Sequence, residues 1–240
     1  MTLLARPDLA RNRSERDRLD PGPVSAAARL PRASGSVPGW AVAAALLAPV
    51  VLVGGWLIAG ALQPDDYSPM RETISALAGD TGTDRWVMTA ALLVVGGCQI
   101  ATGAGLTAVR LPARLLLILT GLSTLGIAAT PEPSTGPTAR HLAFAASCVI
   151  TTAVWPVLVA RRGPAQSWIV SVYGCATATA LFAGLSLWLL VAAQTGSADL
   201  GMVERLTSGV QGVFPLVVAL GLRQRARRTA PPSARLPRPS

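Results

Sequence analysis

An all-α fold, a polytopic membrane protein built as a bundle of six transmembrane helices, is predicted by three observations. Apolar stretches of spanning length recur six times, the arginines are sorted between alternate connections, and the tryptophans collect near the stretch ends. The stretches are Trp40–Leu62, Trp86–Val109, Leu111–Thr130, His141–Ala160, Trp168–Ala193 and Gly201–Leu222. Each comes near the roughly 20 residues that a helix needs to cross about 30 Å of hydrocarbon. The chain is 51% hydrophobic and 14% charged, with a mean hydropathy of +0.47. Soluble domains carry about 25% charged residues.

The net charge of +9 comes from arginine alone, because the chain has no lysine. Its distribution argues against nucleic acid as a partner. With the six spans alternating in direction, one side holds the chain up to Gly39, the Arg110–Arg114 turn, the Arg161–Ser167 loop and the C-terminal tail. These segments carry seven, two, two and six arginines, seventeen in all, against Arg71, Arg85, Arg140 and Arg205 on the other side. Carboxylates run the opposite way, four against eight. Basic residues are retained in the cytoplasm during insertion, so the sequence predicts a multi-pass protein of the cell (inner) membrane with both termini cytoplasmic. Attraction to anionic lipid follows as a secondary effect.

Trp40, Trp155 and Trp168 fall toward the cytoplasmic ends of the spans, and Trp56, Trp86 and Trp188 toward the outer ends. The indole ring prefers the headgroup boundary, where its body is buried and its N–H stays wet. Cys98, Cys148 and Cys175 all lie inside spans, an odd, buried set that reads as packing residues rather than a disulfide framework.

Three segments follow. Residues 1–39 are rich in Arg, Pro, Ser and Ala without helical periodicity, and read as a disordered cytoplasmic tail. Residues 40–222 form the membrane domain, and residues 223–240 repeat the basic, Pro-rich composition of a second disordered tail. The first apolar run starts at Trp40 and is 23 residues long, which suits an anchor rather than a cleavable signal. Within the spans, Gln99 and Gln211 are the notable polar side chains, and no carboxylate sits at mid-membrane. Pro156 and Pro215 are tolerated in membrane helices. Gly97, Ala101 and Gly105 align at four-residue spacing, which predicts a close-packed helix face with Gln99 bonding across an interface.

The specific chemistry gathers on the outer face. The Gln63–Arg85 connection predicts a short amphipathic helix of about ten residues, with Ser68 as its cap and Pro69 in its first turn. Met70, Ile74, Leu77 and Ala78 fall on its apolar side, with Arg71, Glu72 and Ser75 toward the other. Asp84 is expected to cap the second span. His141, the chain's single histidine, opens the fourth span, and Glu204 and Arg205 lie one turn into the sixth. Helix ends at one boundary bring Arg71, Glu72, Ser75, His141, Glu204 and Arg205 into one candidate ligand-binding cluster. Buried charges there would pair, Glu72 with Arg205 or Arg71 with Glu204.

These residue types do not spell a reaction. A lone histidine without neighbouring cysteine or an HExxH spacing does not make a zinc site. No Ser–His–Asp order, phosphate-cradling glycine loop or catalytic carboxylate pair is present, so no catalytic residue, metal or cofactor is assigned. Charges at span ends commonly clamp loops onto a bundle or reach to water. The expected function is therefore a non-enzymatic membrane protein binding a lipid or small ligand at the outer cluster, with an anionic lipid, phosphate or carboxylate held by Arg71 and Arg205. A small transporter, with a cavity lined by Gln99, Gln211, Thr102 and Ser208, is the alternative. An interfacial enzyme using His141 as base is the third reading. The bilayer is the implied partner, and a homo-oligomer is compatible with six spans.

The outer-face residues also carry a family resemblance. Tyr67–Ala78, Y-S-P-M-R-E-T-I-S-A-L-A, resembles the Y-[SD]-P-x-R-x-x-[IV]-S-x-L pattern of the bacterial domain-of-unknown-function-998 family of membrane proteins. His141 resembles that family's histidine opening a later span, and Gly201-Met-Val-Glu204-Arg205-Leu206 resembles its G-L-x-Q-R-L motif. Glu204 stands where the pattern has Gln, and Phe214 lies near an expected Trp. The resemblance covers about residues 40–222 and implies a compact six-helix membrane domain with an ordered outer cluster. It implies no activity.

Overall fold

The computed structural model describes residues 37–162 and 168–229, and in these the secondary structure is helical. The helices are α1 (Gly39–Ala61), α2 (Ile74–Leu77), α3 (Trp86–Gly105), α4 (Leu111–Ala129), α5 (Ala139–Val159), α6 (Val172–Thr195) and α7 (Leu200–Thr229). Six of these are long and apolar enough to cross a membrane, and the four-residue α2 is not. The chain is a polytopic α-helical membrane protein.

Local chemistry sets the ends of the spans. Thr138 and Ser171 sit in extended backbone and accept from the amides of His141 and Gly174, capping α5 and α6. Gly196 ends α6 in the left-handed conformation, at φ 62°. Arg114 near the start of α4 donates to the carbonyls of Gly103 and Ala104 at 3.1 and 2.8 Å, satisfying the end of α3. That end comes at Gly105 rather than Val109. Trp168–Val170 forms a single 3-10 turn, so α6 begins at Val172 instead of Trp168. Helix α7 continues past Leu222 to Thr229, so Arg223–Thr229, assigned to a disordered tail, is helical. No Gly or Pro interrupts it there, and Arg227 and Arg228 in the last turn complement the helix dipole. The remaining tail assignments, residues 1–36 and 230–240, lie outside the described residues.

The spans close into a ring. Helix α1 packs on α3, α3 on α4, α4 on α5, α5 on α6, α6 on α7, and α7 returns to α1. The backbones of α3 and α4 approach closely. A Cβ on Gly96 would meet the carbonyl oxygen of Gly121 at 2.8 Å, and one on Gly121 would meet that of Gly96 at 2.6 Å. Small residues let the backbones touch, but the tight face is one position away from the predicted stripe: Gly97 is exposed and faces open space. Gly105 of that stripe does pack, against Trp40 and Ala41.

Two apolar clusters fill the ring. One, at the end holding both described termini, includes Ala41, Leu106, Leu117, Trp155, Val159 and Val218. Trp155 donates to the carbonyl of Ala113 at 2.8 Å, and Phe214 stacks edge-on against both Trp155 and Phe182. The other, at the loop end, includes Leu52, Ile74, Leu77, Met88, Leu92 and Val95. Between them runs a polar seam. Thr120 bonds Thr151 at 2.9 Å, Ser123 bonds Ser147 at 2.8 Å, and Thr124 bonds Gln99 at 2.8 Å. Hydroxyls in an apolar medium satisfy themselves this way or on the carbonyl one turn back, as Thr102 and Thr152 do. The three cysteines are free thiols.

Candidate functional site

The connection between α1 and α3 is ordered from its own sequence. Gln63 bridges its two ends, accepting from the amide of Thr83 at 2.9 Å and donating to the carbonyl of Thr83 at 3.0 Å. Ser68 opens a turn closed by the amides of Arg71 and Glu72, and its own amide donates to the Glu72 carboxylate at 3.1 Å. The turn stops there. Thr73 takes extended backbone and accepts from the amide of Ala76 at 3.0 Å, making it the cap of a four-residue helix, α2. The ten-residue helix from Ser68 therefore does not form, because the hydroxyl better placed to cap lies five residues later. Ile74, Leu77 and Ala78 are buried as expected, whereas Met70 remains 47% exposed. Asp84 does not cap α3. It adopts a positive φ of 48° and accepts from the Trp86 indole, and Arg85 takes the cap position.

The first turns of α7 lock onto this loop. Arg205 donates through Nη1 to the carbonyls of Pro69, Glu72 and Gly201 at 2.8, 2.6 and 2.9 Å, and through Nη2 to the Tyr67 hydroxyl at 2.6 Å. Glu204 accepts from the amide of Ile74 at 2.5 Å and reaches the Ser75 hydroxyl at 3.5 Å. Its carboxylate thus meets the unsatisfied amide end of α2. The amide of Met202 donates to the carbonyl of Met70. Gly201 makes the approach possible, since a Cβ there would lie 2.2 Å from the carbonyl oxygen of Glu72. The two motifs that carry the family resemblance are therefore in direct contact.

Neither predicted ion pair forms. Arg205 bonds the Glu72 backbone and not its carboxylate, and Arg71 is exposed, with its guanidinium 3.4 Å from the carbonyl of Asp66. A guanidinium fork matches several carbonyls at once, which the bent loop backbone supplies. Among the described residues the ion pair is Arg85 with Asp80.

His141 belongs to a second latch. It is buried, and its Nδ1 lies 2.7 Å from the carbonyl of Thr130, to which it donates. This closes the turn between α4 and α5. The carbonyl of Glu132 in that turn accepts from the amide of Asp80 at 2.8 Å, and Gly79 packs beneath it. The loop helix α2 is held from α7 at its start and from the α4–α5 turn just after its end. Burial pushes the Glu132 carboxyl up from its ordinary range, opposed by the nearby His141. Burial likewise raises the Tyr67 phenol, with the Arg205 guanidinium pulling the other way.

Beneath α2 lies a cavity of about 100 Å³. Ile74, Ser75 and Glu204 line the part next to α2, and Ser208 and Gln211 continue along α7 at the four- and seven-residue spacings of one helix face. Gln99, Thr124, Cys148 and Thr152 complete the polar side, while Ala48, Pro49, Leu52, Leu92 and Val95 make the apolar side. Of the predicted cluster, Ser75 and Glu204 border this space; Arg71, Glu72, His141 and Arg205 do not. Thr102 does not either. The sequence reading missed Tyr67, Glu132, Thr124, Cys148 and Thr152. For the last three the available signal was hydroxyls and a thiol on neighbouring spans, which cannot be registered against one another without the fold. Among the described residues no group of three His, Cys, Asp or Glu side chains could hold a metal ion.

A search of the curated proteins and a search of the solved structures each find no match to this chain. The model of a family described as a protein of unknown function, DUF998, matches residues 29–221. That stretch contains the first five spans whole, most of α7, and both motifs that lock α7 to the loop. The chain therefore belongs to the DUF998 family.

Proposed function

We propose that this protein binds a small ligand in the cavity beneath α2, taken up from the outer side of the membrane. The observation that carries the reading is the polar column Glu204, Ser208 and Gln211 facing Gln99, Thr124 and Thr152 inside the ring. Polar groups in membrane interiors are costly, and those that line space rather than a packed interface mark ligand paths. The loop helix roofs the site. The aromatic cluster of Trp155, Phe182 and Phe214 supports a closed floor below it. The sorted arginines and the common end of the two described termini support cytoplasmic termini and an outward-facing roof.

The anion-binding form of the outer cluster loses support, since Arg205 is engaged by four acceptors and Arg71 stands apart from it. The bonded Nδ1 of His141, away from the cavity, likewise favours a structural role over that of a base.

Gly212→Leu tests the proposal. A Cβ at Gly212 meets only Leu52, at 3.9 Å, so the larger side chain enters the cavity. Cells lacking the gene, complemented with wild type or Gly212→Leu at equal membrane levels, are compared by envelope and metabolite profiling. The variant is expected to behave as the empty vector. Restoration of the wild-type profile by Gly212→Leu would overturn the proposal.

A further inference from the structure

Resting on the cavity reading, we infer that the ligand is a small cation bearing hydrogen-bond donors, of the alkylammonium class. Three independent features of the wall converge on it. First, Glu204 is the sole ionisable carboxylate or cationic side chain bordering the cavity, and among the described residues no arginine lies within ion-pairing distance of it. Arg205, next in sequence, turns its Nη groups to the loop carbonyls and Tyr67. A carboxylate facing an apolar-walled space without a paired cation is complementary to a cationic guest.

Second, the donors of Thr124, Thr152 and Gln211 on the wall are already engaged within the protein. The Thr152 hydroxyl donates to the carbonyl of Cys148 at 2.6 Å, and that of Thr124 lies 3.0 Å from the carbonyl of Thr120. Gln211 directs its amide nitrogen to Phe182 and Ser186 on α6, at 3.3 and 3.1 Å. Each of these groups keeps acceptor lone pairs. Gln99 accepts from the Thr124 hydroxyl at 2.8 Å and keeps its amide donors, and Ser208 can serve either way.

Third, two prolines add carbonyl acceptors. Pro156 and Pro215 stand four residues after Thr152 and Gln211, both of which border the cavity. Proline has no N–H, so the ordinary helical donor to each of those two carbonyls is missing. The wall therefore offers one carboxyl group and a surplus of acceptors, and an ammonium group supplies three donors with a positive charge.

Size narrows the class. A volume of about 100 Å³ compares with an engineered cavity of about 150 Å³ that holds benzene, so a guest of roughly four heavy atoms fits. Glu204 and Gln211 are separated by about 10 Å along α7, which places the charged head under α2 and the alkyl tail against Leu52, Leu92 and Val95.

Cys148 on the wall reports occupancy. The full chain in lipid nanodiscs is treated with methyl methanethiosulfonate, and modification of each cysteine is followed by peptide mass spectrometry. Propylammonium, 1-propanol and propionate are titrated as probes in wild type, Glu204→Gln and Gly212→Leu. Gln at position 204 retains an acceptor for the Ile74 amide, so the roof stays latched. Propylammonium is expected to slow Cys148 modification severalfold where propionate and 1-propanol do not, and Glu204→Gln should abolish that protection. Equal protection by all three probes, or amine protection that survives Glu204→Gln, would overturn the cation assignment while leaving the cavity reading in place. Absence of protection by propylammonium, with Cys148 still reactive and shielded by Gly212→Leu, also overturns the assignment alone. A Cys148 that reacts no faster in wild type than in Gly212→Leu overturns the cavity reading itself.

Discussion

The Arg205 guanidinium donates to the Tyr67 hydroxyl at 2.6 Å, joining residues 138 positions apart. The same side chain holds the carbonyls of Pro69 and Glu72, so one residue fixes the backbone of the whole first half of the loop. Hydrogen bonds from a charged donor contribute about 1.5–3 kcal/mol each. Arg205→Ala is therefore predicted to destabilise the protein by at least about 2 kcal/mol. It should also expose the loop to trypsin at Arg71. Arg205→Lys, with a compact ammonium in place of the fork, is expected to recover only part of the loss. Thermal melts and limited proteolysis of the three proteins check this.

Tyr67 carries a second consequence. Its phenol is raised by burial, with Arg205 opposing. A raised folded-state value means that the unfolded chain ionises first, so the contribution of Tyr67 to stability is present below about pH 10 and lost above it. The chain has two tyrosines. In Tyr173→Phe, the remaining phenol should titrate spectrophotometrically with a midpoint above 10.

Glu132 gives the corresponding effect at acid pH. Its carboxyl is raised from 4.5, with burial as the leading cause and His141 opposing. The protonated form is favoured in the folded state, so stability is fully present below pH 4.5 and is lost as pH rises through the folded value. Glu132→Gln should melt with wild type at about pH 4 and above it at about pH 7. A difference of the opposite sign would contradict the burial of this carboxyl.

For His141, the donor on Nδ1 is the feature that matters, because the carbonyl of Thr130 depends on it. His141→Ala should lower the melting temperature and loosen the α4–α5 turn. His141→Asn, whose amide can donate from nearly the same place, should recover part of the loss. Both variants are expected to leave the Cys148 environment accessible. Loss of ligand response in His141→Asn at normal stability would instead assign the histidine to chemistry.

The spans were legible in the sequence because membrane thickness imposes one length and one composition, and α1, α3, α4 and α5 appear within a few residues of their predicted bounds. The outer cluster was legible as a gathering of residue types, since Glu204, Arg205 and the Tyr67–Ala78 loop do meet. Their partners were not. Charge pairing predicted Arg205 on the Glu72 carboxylate, but a bent backbone turned its carbonyls toward the guanidinium, and backbone direction leaves no mark on side-chain identity. The cavity was hidden for another reason. Gln99, Thr124, Thr152, Ser208 and Gln211 lie on four spans, and only the order of helices around the ring brings them to one space. Pro156 and Pro215, read as tolerated kinks, acquire a role only beside Thr152 and Gln211.

The central claim is that solvent and small solutes reach the space beneath α2 from the loop side. The most direct measurement is the rate at which external methyl methanethiosulfonate modifies Cys148, relative to Cys98 and Cys175, in sealed vesicles of defined orientation. Cys148 borders the cavity, while Cys98 and Cys175 are buried and do not border it. The account predicts that Cys148 reacts several times faster than the other two and that Gly212→Leu removes the difference. Equal rates for all three thiols, or a Cys148 rate indifferent to Gly212→Leu, would contradict it.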